Sequence, residues 1–300
     1  MRPTFLAFQT AGRAMAASRA NIEITGNNIA NVNTDGYSRQ RVDLNSISGS
    51  GYTEKYSVHQ ATTGFGVEVS GVSQIRDSFL DIRFRNQNSE SSKYDAILSG
   101  LTDLENIFDE AETDGLQMEL SNFINQLQVF SQDPTSKDMA LIVRTAAQKV
   151  TQILNIYSQQ IKEVRNQQTY DLENVIIKNS FNTKVKNIAD LNMQIRQELL
   201  YGNSPNELYD KRNTLIDELS GLANIKVSVS PEEISENLYI ENLSIAIYDP
   251  NTGTNIPIVD NGKYNLLSVD NSTDTLQISI NSSFGGYDGN ITKVLYRRFD

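Results

Sequence analysis

Gly26-Asn27-Asn28-Ile29-Ala30-Asn31-Val32-Asn33-Thr34-Asp35-Gly36-Tyr37-Ser38-Arg39-Gln40 carries a helix through its last turn and into a bend. Ile29 and Val32 finish an apolar stripe, the asparagines can cap and turn the chain, Gly36 permits a positive φ, and Tyr37 can anchor the exit. The helix that ends here begins near Thr4. Phe5, Phe8, Gly12, Met15, Arg19, Ile22, Gly26 and Ile29 alternate by three and four residues, the spacing of a heptad seam that faces a partner helix. The seam is thin, because Gly12, Arg19 and Gly26 occupy it and alanines fill much of the rest. Helix nucleation is costly and so little apolar surface does not offset it. The expectation is a segment that orders only when packed among other helices.

Beyond the bend, Val42–Leu44, Tyr56–Val58 and Gly66–Val72 have strand character, separated by glycine-rich turns. From Ile75 the helical period returns: Ile75, Phe79 and Ile82 open one segment and Ile97, Leu101, Leu104 and Phe108 close it. The acidic run Asp109–Asp114 and Gly115 break it. Leu116, Leu120, Phe123, Leu127 and Phe130 then form an amphipathic helix that stops before Pro134. Thr135–Ser204 is free of proline and predicts the longest element, from about Lys137 to about Leu200, which as one helix would reach about 90 Å. Polar residues dilute its stripe at Thr169–Asn182, where a kink or break is expected. Ser204-Pro205-Asn206-Glu207 reads as a helix start, with Ser204 as cap, Pro205 in the first turn and Glu207 closing a capping box. Leu208, Arg212, Leu215, Ile216 and Leu219 follow to Gly221, the leucines and isoleucine reading as core. Thereafter Ile225–Val229, Leu243–Tyr248, Ile256–Val259, Tyr264–Val269 and Leu276–Ile280 alternate as strands.

The fold class expected is α+β, mainly α and elongated: an N-terminal coiled-coil helix (1–35), a β or irregular connector (36–74), a long-helix body (75–222) and an all-β outer domain (223–300). The 300 residues suit about two domains, and the hydrophobic content of 38% leaves room for thin or partner-dependent structure. With 26 Lys+Arg against 37 Asp+Glu, the net charge of -11 argues against gripping nucleic acid or an anionic membrane. No run of about 18 apolar residues is present, so no membrane insertion is expected. The N-terminus lacks the apolar core of a cleavable signal peptide.

Enzyme readings find little support. The sequence has no cysteine, and its single histidine, His59, has no second His to share a metal. Gly64-Phe65-Gly66 lacks the third glycine of a dinucleotide loop, and no phosphate loop or nucleophile elbow occurs. Asp109–Gly115 departs from a calcium loop at Ala111 and Thr113. Asn242-Leu243-Ser244, Asn271-Ser272-Thr273 and Asn281-Ser282-Ser283 are glycosylation triplets of the kind that arise by chance in an Asn- and Ser-rich chain. No catalytic residue, metal site or cofactor is expected.

Asn27-Asn28-Ile29-Ala30-Asn31 followed by Thr34-Asp35-Gly36-Tyr37 resembles the N-terminal signature of the bacterial flagellar axial family (rod, hook and hook-associated proteins). Three further features look like its hook-associated branch. They are Tyr37-Ser38-Arg39-Gln40, the run Gly66–Val72 leading into Arg76-Asp77-Ser78-Phe79, and Ser204–Ser220 with the strand after it. The resemblance spans Met1 to about Val229. It implies a structural subunit joining hook to filament, exported unfolded by the flagellar type III system and located outside the cell on the flagellum. The implied partners are a ring of identical copies, the hook protein, the adjoining junction protein and the export apparatus. The resemblance also implies that the Phe5–Ile29 seam is completed by a second helix and by neighbouring subunits. Phe5, Phe8, Met15, Ile22 and Ile29 are therefore expected to pack between subunits, with Asn28, Asn31, Gly36 and Tyr37 setting the helix exit. Residues 282–300 lack the heptads with which the family returns to its axial core, so the chain reads as an N-terminal portion or a truncated product whose first helix lacks its partner. The alternatives are a secreted or surface-displayed binding protein, another hook or rod component, or a cytosolic coiled-coil scaffold.

Overall fold

A computed structural model describes residues 4–47, 65–108, 115–235, 238–249, 254–270, 275–281 and 292–299. His59, the Tyr56–Val58 strand, the acidic run 109–114 and the triplet at Asn271 lie outside the described residues. The chain is mainly helical with antiparallel sheets. In order it forms α1 (Thr4–Ala30), β1 (Gln40–Ser46), β2 (Val67–Gln74), α2 (Ser78–Phe108), α3 (Leu116–Gln132) and α4 (Lys137–Tyr170). A π-helical stretch (Asp171–Phe181), α5 (Asn182–Leu200) and α6 (Asn206–Ser220) follow. The remaining elements are strands: β3 (Ile225–Ser235), β4 (Leu238–Asp249), β5 (Thr254–Asp260), β6 (Lys263–Tyr264), β7 (Leu266–Asp270), β8 (Thr275–Asn281) and β9 (Thr292–Phe299).

Contacts group the chain into two compact units. The first draws its described residues from Met1–Gln87 and Lys184–Leu266. Its core is a four-stranded antiparallel sheet, β3-β4-β5-β6, covered by α5 and α6. Val185, Ile188, Ile195, Ile216 and Leu219 of the helices are buried with Ile240, Leu243, Ile245, Ile256 and Val259 of the strands. Polar ties fix the layers: Asn192 Nδ2 donates to the Asn261 carbonyl at 2.7 Å, and Arg212 reaches Asn192 Oδ1 at 3.1 Å and Glu241 at 2.6 Å. Asn261 itself adopts φ 55 in the tight β5–β6 turn, a conformation asparagine tolerates better than most residues.

The same unit contains the two-stranded ribbon β1-β2, paired antiparallel from Gln40↔Gln74 to Ser46↔Val67 with a bulge at Asp43/Leu44. Ile75, expected to open the next helix, instead extends this ribbon by donating to the Arg39 carbonyl at 2.8 Å. The helix waits for Asp77, whose carboxylate accepts the Phe79 amide at 2.9 Å and caps the first turn of α2. The start of α6 also differs from expectation. Pro205 stands at the cap with no side-chain cap bond, so the Ser204 and Glu207 capping box does not form. Asn206 is held instead by β2, where its Nδ2 donates to the Val72 carbonyl at 3.0 Å.

The second unit comprises described residues of Asn88–Thr183, Leu267–Asn281 and Thr292–Asp300. Here α3 packs on α4, and the Glu119 carboxylate buried between them accepts from Lys149 Nζ at 3.4 Å. Phe108 meets Tyr157 edge to face at 5.4 Å. At the α3–α4 corner Asp133 accepts from the Thr135 amide and hydroxyl, and Ser136 Oγ caps α4. The expected break within 169–182 proves to be a change of helical register: residues 171–181 continue as a π-helix, burying Ile177 and Phe181. Just after it, Asn182 exchanges both of its amide bonds with Leu267, Nδ2 to the carbonyl and Oδ1 from the amide, each at 2.9 Å. That clasp holds the three-stranded sheet β7-β8-β9, of which β9 covers a segment read as lacking heptads.

Candidate functional site

α1 has two faces. Thr10, Ala17, Ala20, Ile24, Asn28 and Asn31 form the inner line, half-buried or buried, with Ala17 the deepest at 3 % exposed. This face lies along the β1-β2 ribbon, where small side chains permit close approach. Arg13 Nη1 donates to the Phe65 carbonyl at 3.1 Å, and Gly66, at φ 93, seats against Thr10. The expectation named only other helices as support for α1; in the structure a ribbon of its own chain lies along its inner face. The opposite face carries Phe5, Phe8, Met15, Ile22 and Ile29, all between 68 % and 81 % exposed. A stripe of five large apolar side chains along one helix, left in water while the reverse face is packed, has the form of an interaction surface.

The helix exit is built from Asn28. Its Oδ1 accepts from the Tyr37 hydroxyl and the Gln40 amide, each at 2.9 Å, and its Nδ2 donates to the Gln40 carbonyl at 2.8 Å. The amide therefore acts as a three-bond clamp between the last turn of α1 and the first residue of β1. Asn31 acts locally, donating to Asn27 Oδ1 at 2.8 Å and accepting from Thr34 Oγ1 at 3.2 Å. Gly36 has φ 77, as the turn requires, and its Cα faces Thr214 of α6 so closely that a Cβ would strike the Thr214 hydroxyl. Burial raises the Tyr37 phenol above its usual range, and the Asp210 and Glu207 carboxylates push it further the same way.

The clamp is fastened to α6. Asp210, 8 % exposed, accepts from the Ser38 amide at 3.2 Å and from Gln74 Nε2 at 2.9 Å. Gln74 also donates to the Asn206 carbonyl at 2.8 Å. Two helical turns on, Asp217 receives Arg85 Nε at 2.6 Å and Arg76 Nη2 at 3.4 Å, while Arg76 Nε holds Asp81 at 2.6 Å. Asn206, Asp210, Asn213 and Asp217 recur at steps of four, three and four and make the polar edge of α6, while Arg212, Ile216 and Leu219 turn inward. The three sequence motifs, near residues 27–40, 66–79 and 204–220, are one hydrogen-bonded latch. Sequence reasoning assigned roles to Asn28, Asn31, Gly36 and Tyr37, quoted Arg76, Asp210 and Asp217 within motifs without giving them a role, and missed Gln74 and Arg85. The heptad spacing of polar residues in α6 is the available signal, and the apolar period does not carry it.

The charges of the latch are paired. The cleft beside the latch is lined by Arg76, Arg85 and Arg212, and each guanidinium already faces a carboxylate. Among the described residues no cluster of acids or histidine could hold a metal ion, and no helix is long and apolar enough to cross a membrane. Part-buried charge pairs of this kind fix geometry: each side chain gives up some of its water and tolerates little movement of its partner. The latch fixes where α1 leaves the ribbon, and hence which way its stripe faces.

Comparison with known proteins gives concordant matches. The helical-domain model of the flagellar hook-associated protein FlgK matches residues 101–295, and the flagella basal body rod protein model matches residues 8–37. Flagellar hook-associated protein 1 of Bacillus subtilis (strain 168) is 34% identical over 269 residues, covering 88% of this chain and 52% of its own. The protein of that name from Salmonella typhimurium is 30% identical over 224 residues, 71% of this chain and 37% of its own. The solved structure of the flagellar hook junction protein FlgK from Burkholderia pseudomallei aligns with a TM-score of 0.54 at 21% identity, over 73% of this chain and 36% of that one, a likeness of fold. The chain thus spans about half the length, or less, of the relatives it matches.

Proposed function

The chain belongs to the flagellar hook-associated protein FlgK family, and on that premise we propose that it serves as a structural subunit of the bacterial flagellum, joining hook to filament. The family is structural and the chain is not read as an enzyme. Subunits are exported by the flagellar type III system and assemble outside the cell as a ring at the hook–filament junction. Their neighbours there are the hook protein and the adjoining junction protein. Phe5, Phe8, Met15, Ile22 and Ile29 form the subunit-packing surface, in a coiled coil with helices of neighbouring chains. Asn28, Asn31, Gly36 and Tyr37 set the direction in which that helix leaves the body, and the strands after Ile225 belong to the outer part.

The observation that supports this reading most is the two-faced α1. Its inner line is locked to the ribbon and, through the ribbon, to α6, while Phe5, Phe8, Met15, Ile22 and Ile29 are turned out. A self-sufficient globule gains nothing from holding such a stripe in water; a subunit awaiting neighbours does. Electron microscopy of flagella from a strain lacking the gene tests it. Hooks without filaments are expected, restored by the wild-type gene but not by one encoding Phe8→Ser and Ile22→Ser. Filaments on intact hooks in the deletion strain would remove the reading.

A further inference from the structure

Resting on the reading of the α1 stripe as a packing surface, we infer that Arg19 is its selectivity residue. It bars α1 from pairing in register with α1 of a second copy and selects a helix of different sequence that presents a carboxylate opposite it.

In heptad terms the stripe has two lines. Phe8, Met15, Ile22 and Ile29 fill one with large apolar side chains; Phe5, Gly12, Arg19 and Gly26 fill the other. A parallel, in-register pair of identical helices places like positions side by side, so Arg19 would face Arg19. A guanidinium does not lose its proton, and two of them stripped of water at one seam position repel. Nothing lies within 4 Å of where a Cβ would stand on Gly12 or Gly26, one heptad to either side. The backbones can therefore come close there, which leaves Arg19 little room to bend aside.

Relief from a second copy is not within reach. Glu23 lies one turn along the same helix and pairs with Arg19 at 2.9 Å, but both side chains are exposed, and an exposed i,i+4 pair holds weakly. The seam positions beside Arg19 in an identical partner are Ser18 and Thr25, which bring no carboxylate. Charge favours an acidic partner instead. α1 carries Arg13 and Arg19 against a single Glu23, so its own charge is positive although the chain as a whole is acidic. The geometry selects a helix with apolar seam residues flanking an Asp or Glu at the level of Arg19. Such a device keeps free subunits from pairing with themselves before they meet that partner.

Sedimentation of the full chain tests this with Arg19→Leu and Arg19→Glu, both at an exposed position where folding is preserved. Arg19→Leu is expected to self-associate with a dissociation constant at least about tenfold tighter than wild type, and Ile22→Ser added to it is expected to abolish the gain. Wild type and Arg19→Glu, each unpaired alone, are expected to pair when mixed. If Arg19→Leu associates but the mixture does not, the selectivity role is overturned while the packing stripe stands. Wild type that already pairs through α1 also overturns the role of Arg19. If neither Arg19→Leu nor the mixture associates, the stripe is no packing surface and both readings fall.

Discussion

Replacing Gly36 by alanine tests the latch at its tightest point. Two penalties arise. A residue with a Cβ at φ 77 sits in the left-handed region, which costs about 1–2 kcal/mol. The new methyl also strikes the Thr214 hydroxyl, which must rotate away and give up its bond to the Asp210 carbonyl at 3.0 Å, a further loss of about 1 kcal/mol. The total is about 2–3 kcal/mol of local stability. The second penalty depends on Thr214, so Gly36→Ala in a Thr214→Ala background should cost only the backbone strain, about 1–2 kcal/mol. Native-state hydrogen exchange at the Ser38 and Gln40 amides reads this directly, because both donate to side chains of the latch. Exchange should accelerate by about 30- to 150-fold in Gly36→Ala, and by about 5- to 30-fold when the same change is made on Thr214→Ala. Equal acceleration in the two backgrounds would refute the claimed contact between the turn and α6. No acceleration in either would refute the latch itself.

Asn28→Ala removes an amide that makes three bonds and leaves the half-buried Tyr37 hydroxyl and Gln40 peptide unpaired; a loss of about 2–4 kcal/mol is expected in urea unfolding, and a change below 0.5 kcal/mol would contradict the clamp. Phe8→Ser and Ile22→Ser lie on the exposed stripe and should change the stability of the isolated chain by less than about 0.5 kcal/mol while abolishing assembly on hooks; a large loss of stability would mean the stripe is packed internally. Tyr37 is raised above its ordinary value of 10.0 by burial and by the Asp210 and Glu207 carboxylates, so the fold favours the neutral phenol. Its contribution is fully present below the unfolded value and is lost as the pH rises through the higher folded one, where the bond it donates to Asn28 also goes. Phenolate absorbance should show tyrosines titrating later than in the unfolded chain, Tyr209 among them because burial raises it too, and the late step should shrink by one phenol in Tyr37→Phe. Glu232, held low by its bond from Arg196 at 2.8 Å, should keep its charge in acid below the usual carboxylate range, which side-chain NMR titration of the Glu232→Gln variant against wild type would verify.

Local grammar made much of the chain legible. The three-four spacing from Phe5 to Ile29 marked α1 and its outward face, Pro134 marked the α3–α4 corner, and Gly221 marked the end of α6. Gly36 was recognisable as the residue of positive φ because the turn left no other choice. Each of these depends on neighbours within a few residues, so it is written in the order of the residues themselves. Failures came where a distant partner overrode the local preference. Ile75 fits a helical period but joins the ribbon because Arg39 offers it a carbonyl, and Ser204 could cap α6 but β2 claims Asn206 first.

The sequence by itself determined that α1 is amphipathic, that its stripe is thin and that a signature turn follows it. Only the tertiary structure decided that the inner face of α1 is held by its own ribbon, and that Asp210 and Asp217 bind the turn and the ribbon to α6 across more than a hundred residues. The reason is physical. Burial pattern and backbone preference act on one helix or turn at a time and leave a period in the chain. A carboxylate that accepts an amide from a remote strand can keep a period on its own helix, as Asp210 and Asp217 do on α6, but nothing in that period names the partner, because the pairing is set by where the packed sheet and helices bring the two together.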